Sequence, residues 1–185
     1  MPKLSPEKLA ARRRQILDAA ATCFARDGFH RTSMQDVVKE CGISAGLVYR
    51  YFASKDEMIA AIVTDWQDQR RARLHAGPPL DAYLALLRSL GEPSARDGLK
   101  LGVQVWAEAV RSPRIRDLVL AGVDGPRAQA AAELPGWGLS TDLDPDAFAR
   151  IVIAIYQGLL LQTAWDETVD HEAFARTLKA VLDRL

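Results

Sequence analysis

Residues 41–57 read CGISAGLVYRYFASKDE. The small residues Ser44, Ala45 and Gly46 are followed, after Leu47, by Tyr49, Arg50 and Tyr51, and then by Ser54 and Lys55. The chemistry these side chains suit is non-covalent capture of a polyanion. Arg50 can reach a guanine edge or a phosphate, and Tyr49 offers a hydroxyl to a phosphate and a ring to a thymine methyl. Ala45 and Gly46 let a helix start come close to a DNA edge or backbone. Lys55 adds a full charge to a helix N-terminus, where free N–H groups already favour anions. Arg12, Arg13 and Arg14 form a second basic cluster that could touch flanking phosphates.

Catalytic constellations are missing from the sequence. His30, His75 and His171 stand alone, and there is no HExxH, phosphate loop or GxGxxG. The stretch DLDPD at 142–146 begins like a calcium loop. Its sixth and twelfth positions are Ala147 and Ile153, not the glycine and glutamate such a loop needs. Asp144 reads instead as a helix cap. Cys23 and Cys41 lack a second pair and read as small buried thiols in a reducing cytoplasm. The expectation is a non-enzymatic protein with no metal and no cofactor.

The charge pattern agrees with a polyanion partner. The chain of 185 residues is neutral overall, but residues 1–55 hold 10 Lys and Arg against 5 Asp and Glu. The remainder is acidic, so only the first part invites a nucleic acid. The apolar run at 151–165 is 15 residues with two glutamines. That is short of the ~20 that span a bilayer, so a buried helix is expected and no membrane partner.

The positioning elements are all helical. Ser5-Pro6 caps and starts a first helix whose stripe is Leu9, Ile16, Leu17, Ala20 and Phe24. Gly28 should end it as a left-handed cap, with Phe29 folding back on Phe24. Thr32 and Gln35 have the spacing of a capping box for a second helix, ended by Gly42. Ser44 should cap a third helix over 45–52. Val48 and Phe52 would face inward, with Ala45, Gly46, Tyr49 and Arg50 outward. Ser54 and Glu57 form another capping-box pair, opening a fourth helix that runs to about Leu74. Gly77-Pro78-Pro79 is a composition break.

Further helices are expected over 80–90 and 99–110 and from Ser112-Pro113. Gly122, Gly125 and Pro126 should kink or break the last of these. Residues 134–145 read as a loop. A long helix runs from 145 to about 165, and a final one over 172–185. The fold class is all-α with about nine helices. Residues 5–55 form a helix-turn-helix unit, 56–75 a linking helix, and 76–185 a helical remainder.

Two short helices about a glycine turn also fit a plain helical hairpin with a solvated face. The segment GFHRTSMQDVVKECGISAGLVYRYFASKDEMIAAIV (28–63) is more specific. It closely resembles the N-terminal domain of tetracycline-repressor-type (TetR family) regulators, as does ILDAA at 16–20 followed by Phe24. The resemblance covers about residues 10–65.

It implies a cytoplasmic transcriptional regulator, most simply a repressor, with an activator or ligand-independent regulator as the alternative. In such proteins the threonine opening the second helix contacts phosphate, here Thr32, with Ser33 and Gln35 beside it. The third helix enters the major groove, which puts Ser44, Ala45, Gly46, Leu47, Tyr49, Arg50 and Tyr51 nearest the bases. Lys55 would hold a phosphate. Many relatives carry a small polar residue where this chain has Leu47, which could read a thymine methyl or pack inward.

The family also implies a homodimer on a palindromic operator and release by a small, largely apolar effector. Residues 146–165 are apolar nearly all round, which independently asks for a second burial surface. Ile151, Ile155, Gly158 and Leu161 would form a bundle with Phe174, Leu178 and Leu182 across the dimer. The pocket implied by the resemblance could be lined by Trp66, Leu87, Val103, Trp106, Val110, Leu118, Trp137, Tyr156 and Leu159. Gln104, Gln157 or Gln162 would be its polar anchors. The fourth helix would be the lever between pocket and DNA.

Overall fold

The computed structural model describes residues 5–137 and 143–184. Among the described residues, nine α-helices run in chain order: α1 (Pro6–Asp27), α2 (Met34–Cys41), α3 (Ala45–Tyr51), α4 (Lys55–Leu74), α5 (Pro79–Ser89), α6 (Arg96–Ala109), α7 (Pro113–Glu133), α8 (Pro145–Trp165) and α9 (His171–Leu182). Short 3-10 turns at Pro93–Ala95 and Leu134–Trp137 lead into α6 and follow α7. Among the described residues there is no strand.

The helix starts follow local chemistry. Ser5, Ser112, Asp144 and Asp170 each accept a backbone N–H from the first turn of the helix they open. Proline sits in the first turn of α1, α5, α7 and α8, where its missing N–H costs nothing.

Other starts differ from the expected pattern. The capping box of α2 is Ser33 with Asp36, one residue later than the Thr32–Gln35 spacing suggests. The hydroxyl of Thr32 is buried instead and donates to Gly28 O at 2.9 Å and Cys23 O at 3.3 Å. Ser44 has β backbone geometry at the start of α3 but makes no side-chain cap bond. At α4, Ser54 accepts from Glu57 N, while the Glu57 carboxylate reaches Ala53 N rather than Ser54 N.

Two apolar clusters organise the chain. The first gathers Ile16, Ala20, Phe24, Val37, Val48, Phe52, Met58 and Ile62, and extends to Leu101, Val105 and Ala109 of α6 and Ile115 of α7. The core beneath the short helices thus runs past residue 75 into the later helices. Removing the fully buried Phe24 ring would cost about 3–5 kcal/mol. Leu9 of the predicted stripe lies outside this core and is exposed. The second cluster joins Tyr83 and Leu87 of α5, and Leu90 just after it, to Leu99, Leu134, Trp137, Phe148, Val152, Leu159 and Leu160.

Pro126 does not break α7, which continues for 21 residues. Its ring removes the N–H that would bond the Gly122 carbonyl. Arg70 of α4 replaces that donor, with Nη2 at 2.7 Å from Gly122 O. Gly122 serves close approach rather than breakage, because a Cβ there would lie 1.9 Å from Gln67 Nε2.

The segment expected as a loop is helical over 134–137, and its residues 138–142 lie outside the described residues. The last helix ends at Leu182, and residue 185 also lies outside them. At 21 residues, α8 is long and apolar enough to cross a membrane by length and composition. Its buried side chains, Phe148, Ala149, Val152, Leu159 and Leu160, set one face of it in the core, but only 28% of its apolar window is buried, so it is not the wholly buried helix the sequence suggests.

Candidate nucleic-acid interface and interior cavity

The α2–turn–α3 unit is built from its turn outward. Gly42 adopts φ 68°, ψ 20°, the left-handed conformation that closes α2, and its N–H bonds back to Val38 and Lys39. From α1, Gln15 Nε2 donates to Cys41 O at 2.9 Å, satisfying a terminal carbonyl of α2. Val48 and Phe52 are buried, which fixes the rotation of α3. Ser44, Ala45, Gly46, Tyr49 and Arg50 are therefore exposed together on the opposite side. Tyr49 remains 49% exposed despite its large ring. Leu47 is half-buried between the two faces, and Tyr51 is half-buried against the core. Ser33 and Gln35 are exposed at the start of α2.

Two expected phosphate holders are occupied within the chain. Thr32 is 2% exposed, with its hydroxyl on backbone carbonyls. Lys55 Nζ donates to Phe29 O at 2.9 Å and Thr32 O at 2.7 Å, and stands 4.9 Å from the centre of the Phe29 ring. The Phe29 ring in turn meets Phe24 edge-on at 5.5 Å. Lys55 thereby ties the loop before α2 to the start of α4, a role that residue spacing does not reveal.

The basic cluster on α1 is divided. Arg13 lies over the Phe52 ring and 3.9 Å from Asp65, and Arg12 donates to Gln15. Arg14, Arg31 and Arg50 are exposed, and among the described residues none has a carboxylate within 4.0 Å. Arg31, just before α2, is the cation that motif reading passed over.

Charge on α2 is set locally. The Ser33 hydroxyl and backbone N–H hold the Asp36 carboxyl below the usual carboxylate range. Cys23 and Cys41 are free and buried, and burial raises both thiols.

A second feature lies among α4–α8. A cavity of about 440 Å³ is bounded by Trp66, Trp106, Trp137 and Tyr156 of the expected lining, and by Gln157. Leu87 and Leu159 are fully enclosed in the second core and do not reach it. Val103 and Leu118 pack into the clusters instead. Val110, at the end of α6, is 81% exposed.

Gln104 turns away from the cavity and joins α6 to α1, accepting from Phe29 N and donating to Phe24 O, both at 3.1 Å. His30 Nε2 lies 2.8 Å from Glu108 Oε2 on the same side of α6. Gln162 is exposed and away from the cavity. Sequence patterns missed the polar wall, which includes Gln67, Arg70, Arg73, Gln129 and Glu133. Those residues sit on faces that read as solvated.

Of the predicted dimer residues, Ile151 is 58% exposed, whereas Ile155, Phe174, Leu178 and Leu182 pack partly on the second core. Gly158 and Leu161 are half-buried. Trp165 and Val181 add exposed apolar surface on α8 and α9.

Comparison with known proteins bears on both features. Residues 16–62 match the family described as bacterial regulatory proteins, tetR family. Residues 80–185 match the family described as BetI-type transcriptional repressor, C-terminal. The chain is 28% identical over 182 residues to the HTH-type transcriptional regulator UidR of Escherichia coli, covering 92% of this chain and 90% of that one. It superposes on Salmonella enterica GusR with a TM-score of 0.80 at 26% identity, covering 98% and 97% of the two chains. A putative transcriptional regulator from Saccharomonospora viridis in complex with choline gives 0.76 at 25% identity, covering 94% and 96%. The second match alone spans more than half of the sequence, so the chain belongs to the TetR family of helix-turn-helix transcriptional regulators.

Proposed function

We propose that two copies of this chain pair through α8 and α9 and bind a palindromic operator as a cytoplasmic repressor. Each copy lays α3 in a major groove, with the two recognition helices about 34–36 Å apart, one DNA turn. Tyr49 and Arg50 make the reading contacts, while Ser33, Gln35 and Arg31 flank them on the phosphates. Lys55 acts from inside by holding the loop ahead of α2. A small ligand in the cavity among α4–α8 favours a form in which the two α3 helices no longer match successive grooves. The complex of the S. viridis relative with choline supports a small molecule as the occupant of such a cavity.

The observation that carries this reading is the face of α3. Its small start and its two long polar side chains are exposed together while Val48 and Phe52 anchor the back. A gel-shift assay of the purified protein on duplex DNA selected from a random pool tests it. A sequence-selective complex that weakens steeply with salt is expected. Binding that is equal for all sequences would reject the reading.

A further inference from the structure

Arg70 joins three features that meet at one point. It lies near the end of α4, the helix that starts in the helix-turn-helix core. Its Nη2 donates to Gly122 O on α7, the carbonyl that Pro126 leaves without its helical donor. Its guanidinium also lies 5.7 Å from the centre of the Tyr156 ring on α8 and forms part of the cavity wall.

Of the other charged groups of that wall, Arg73 lies 3.8 Å from Glu92, whereas Glu133 accepts from the neutral Gln129 at 2.9 Å and among the described residues has no cation within 4.0 Å. Among the described residues, Arg70 has no carboxylate within 4.0 Å. Its side chain donates there to the Gly122 carbonyl alone, which leaves further guanidinium N–H groups for a ligand.

We infer that the ligand is a small organic anion whose carboxylate takes Arg70 from the Gly122 carbonyl, and that this exchange loosens α4 from α7. The inference rests on the regulator reading above. A neutral backbone carbonyl is a weaker partner for a guanidinium than a carboxylate, which can accept two parallel N–H bonds. The apolar part of the ligand rests on Trp66, Trp106 and Tyr156. Loss of the Arg70 bond leaves the Gln67 bond to Leu118 O as the neighbouring polar tie between α4 and α7. Because α4 begins at Lys55, a shift of α4 carries the start of the helix and the loop before α2 with it.

The Gly122 carbonyl separates a coupling role from simple repair of the backbone. Arg70→Met should lower the melting temperature and weaken binding to the selected duplex about tenfold or more without ligand, with the dimer retained by sedimentation. Arg70→Lys, which still donates, should keep wild-type affinity. In Pro126→Ala/Arg70→Met, residue 126 regains an N–H for Gly122 O. Melting temperature should return while duplex affinity stays low. Recovery of both would overturn the inference.

Sodium octanoate, octanol and choline chloride serve as ligand probes, read by tryptophan fluorescence. Octanoate should bind wild type in preference to octanol, and Arg70→Met should lose that preference. Equal response to the two, no response to octanoate, or preference for choline would overturn it as well. If wild type selects no duplex at all, the regulator reading fails. The stability cycle and the probe preference still judge Arg70 by themselves.

Discussion

Tyr49 and Arg50 are exposed on α3 and hold no part of the core, whereas Lys55 bridges two backbone carbonyls beneath a ring. Their variants should separate accordingly. Tyr49→Ala and Arg50→Ala should each cost about 1–3 kcal/mol of operator binding with unchanged melting temperature and dimer content. Lys55→Ala should lose operator binding and also about 1–2 kcal/mol of folding stability, because it removes charge-assisted bonds to Phe29 O and Thr32 O. Thermal melts beside gel shifts distinguish the two behaviours. An unaltered melting temperature in Lys55→Ala would mean that the lysine faces the phosphate and not the loop.

At the scale of the element, α2 depends on its reciprocal cap. Asp36 accepts from Ser33 N at 2.9 Å and from the Ser33 hydroxyl at 2.6 Å, which depresses its pKa in the folded state. A depressed carboxyl contributes stability that is fully present above the unfolded value, near 4. That contribution is lost as pH falls through the folded value. Asp36→Asn should therefore melt below wild type at neutral pH, and the gap should close as pH is lowered below about 4. A gap that stays constant with pH would show that the charge on Asp36 contributes nothing to the cap. The same element is closed by Gly42 in a left-handed conformation, so the short α2 is capped at both ends as well as anchored by its buried Val37 and Cys41.

For the whole molecule, affinity for DNA in the proposed dimer depends on pairing two short recognition helices. The exposed Ile151 and Trp165 on α8 and Val181 on α9 offer apolar surface for that pairing. Ile151→Asp should shift sedimentation toward the monomer and abolish the operator complex while leaving helix content intact. Persistence of the dimer would move the interface elsewhere. Salt dependence reports how many phosphates the assembled dimer neutralises. Each phosphate freed by a substitution should flatten the plot of log affinity against log salt by about one. In a symmetric dimer a substitution acts twice. Arg50→Ala should flatten the plot by about two if Arg50 holds phosphates, and should relax base preference with an unchanged slope if it reads guanine.

What the sequence by itself determined is the local order: the helix starts at Ser5, Ser112 and Asp144, the turn at Gly42, and the two faces of α3. These follow from interactions three or four residues apart, which spacing displays directly. Even so, the choice between Thr32 and Ser33 as the cap of α2 was decided by burial, since the Thr32 hydroxyl is drawn to Cys23 O and Gly28 O inside the fold. Tertiary structure alone decided the rest. Lys55 meets carbonyls 26 and 23 residues away, Gln104 bridges to α1 across 75 and 80 residues, and Arg70 repairs the gap at Pro126 from 52 residues away. Residue type and periodicity mark such side chains as polar and outward. Whether outward means water, a cavity or a neighbouring helix is set by the packing of α4 against α7 and of α6 against α1, and no window of sequence contains both partners.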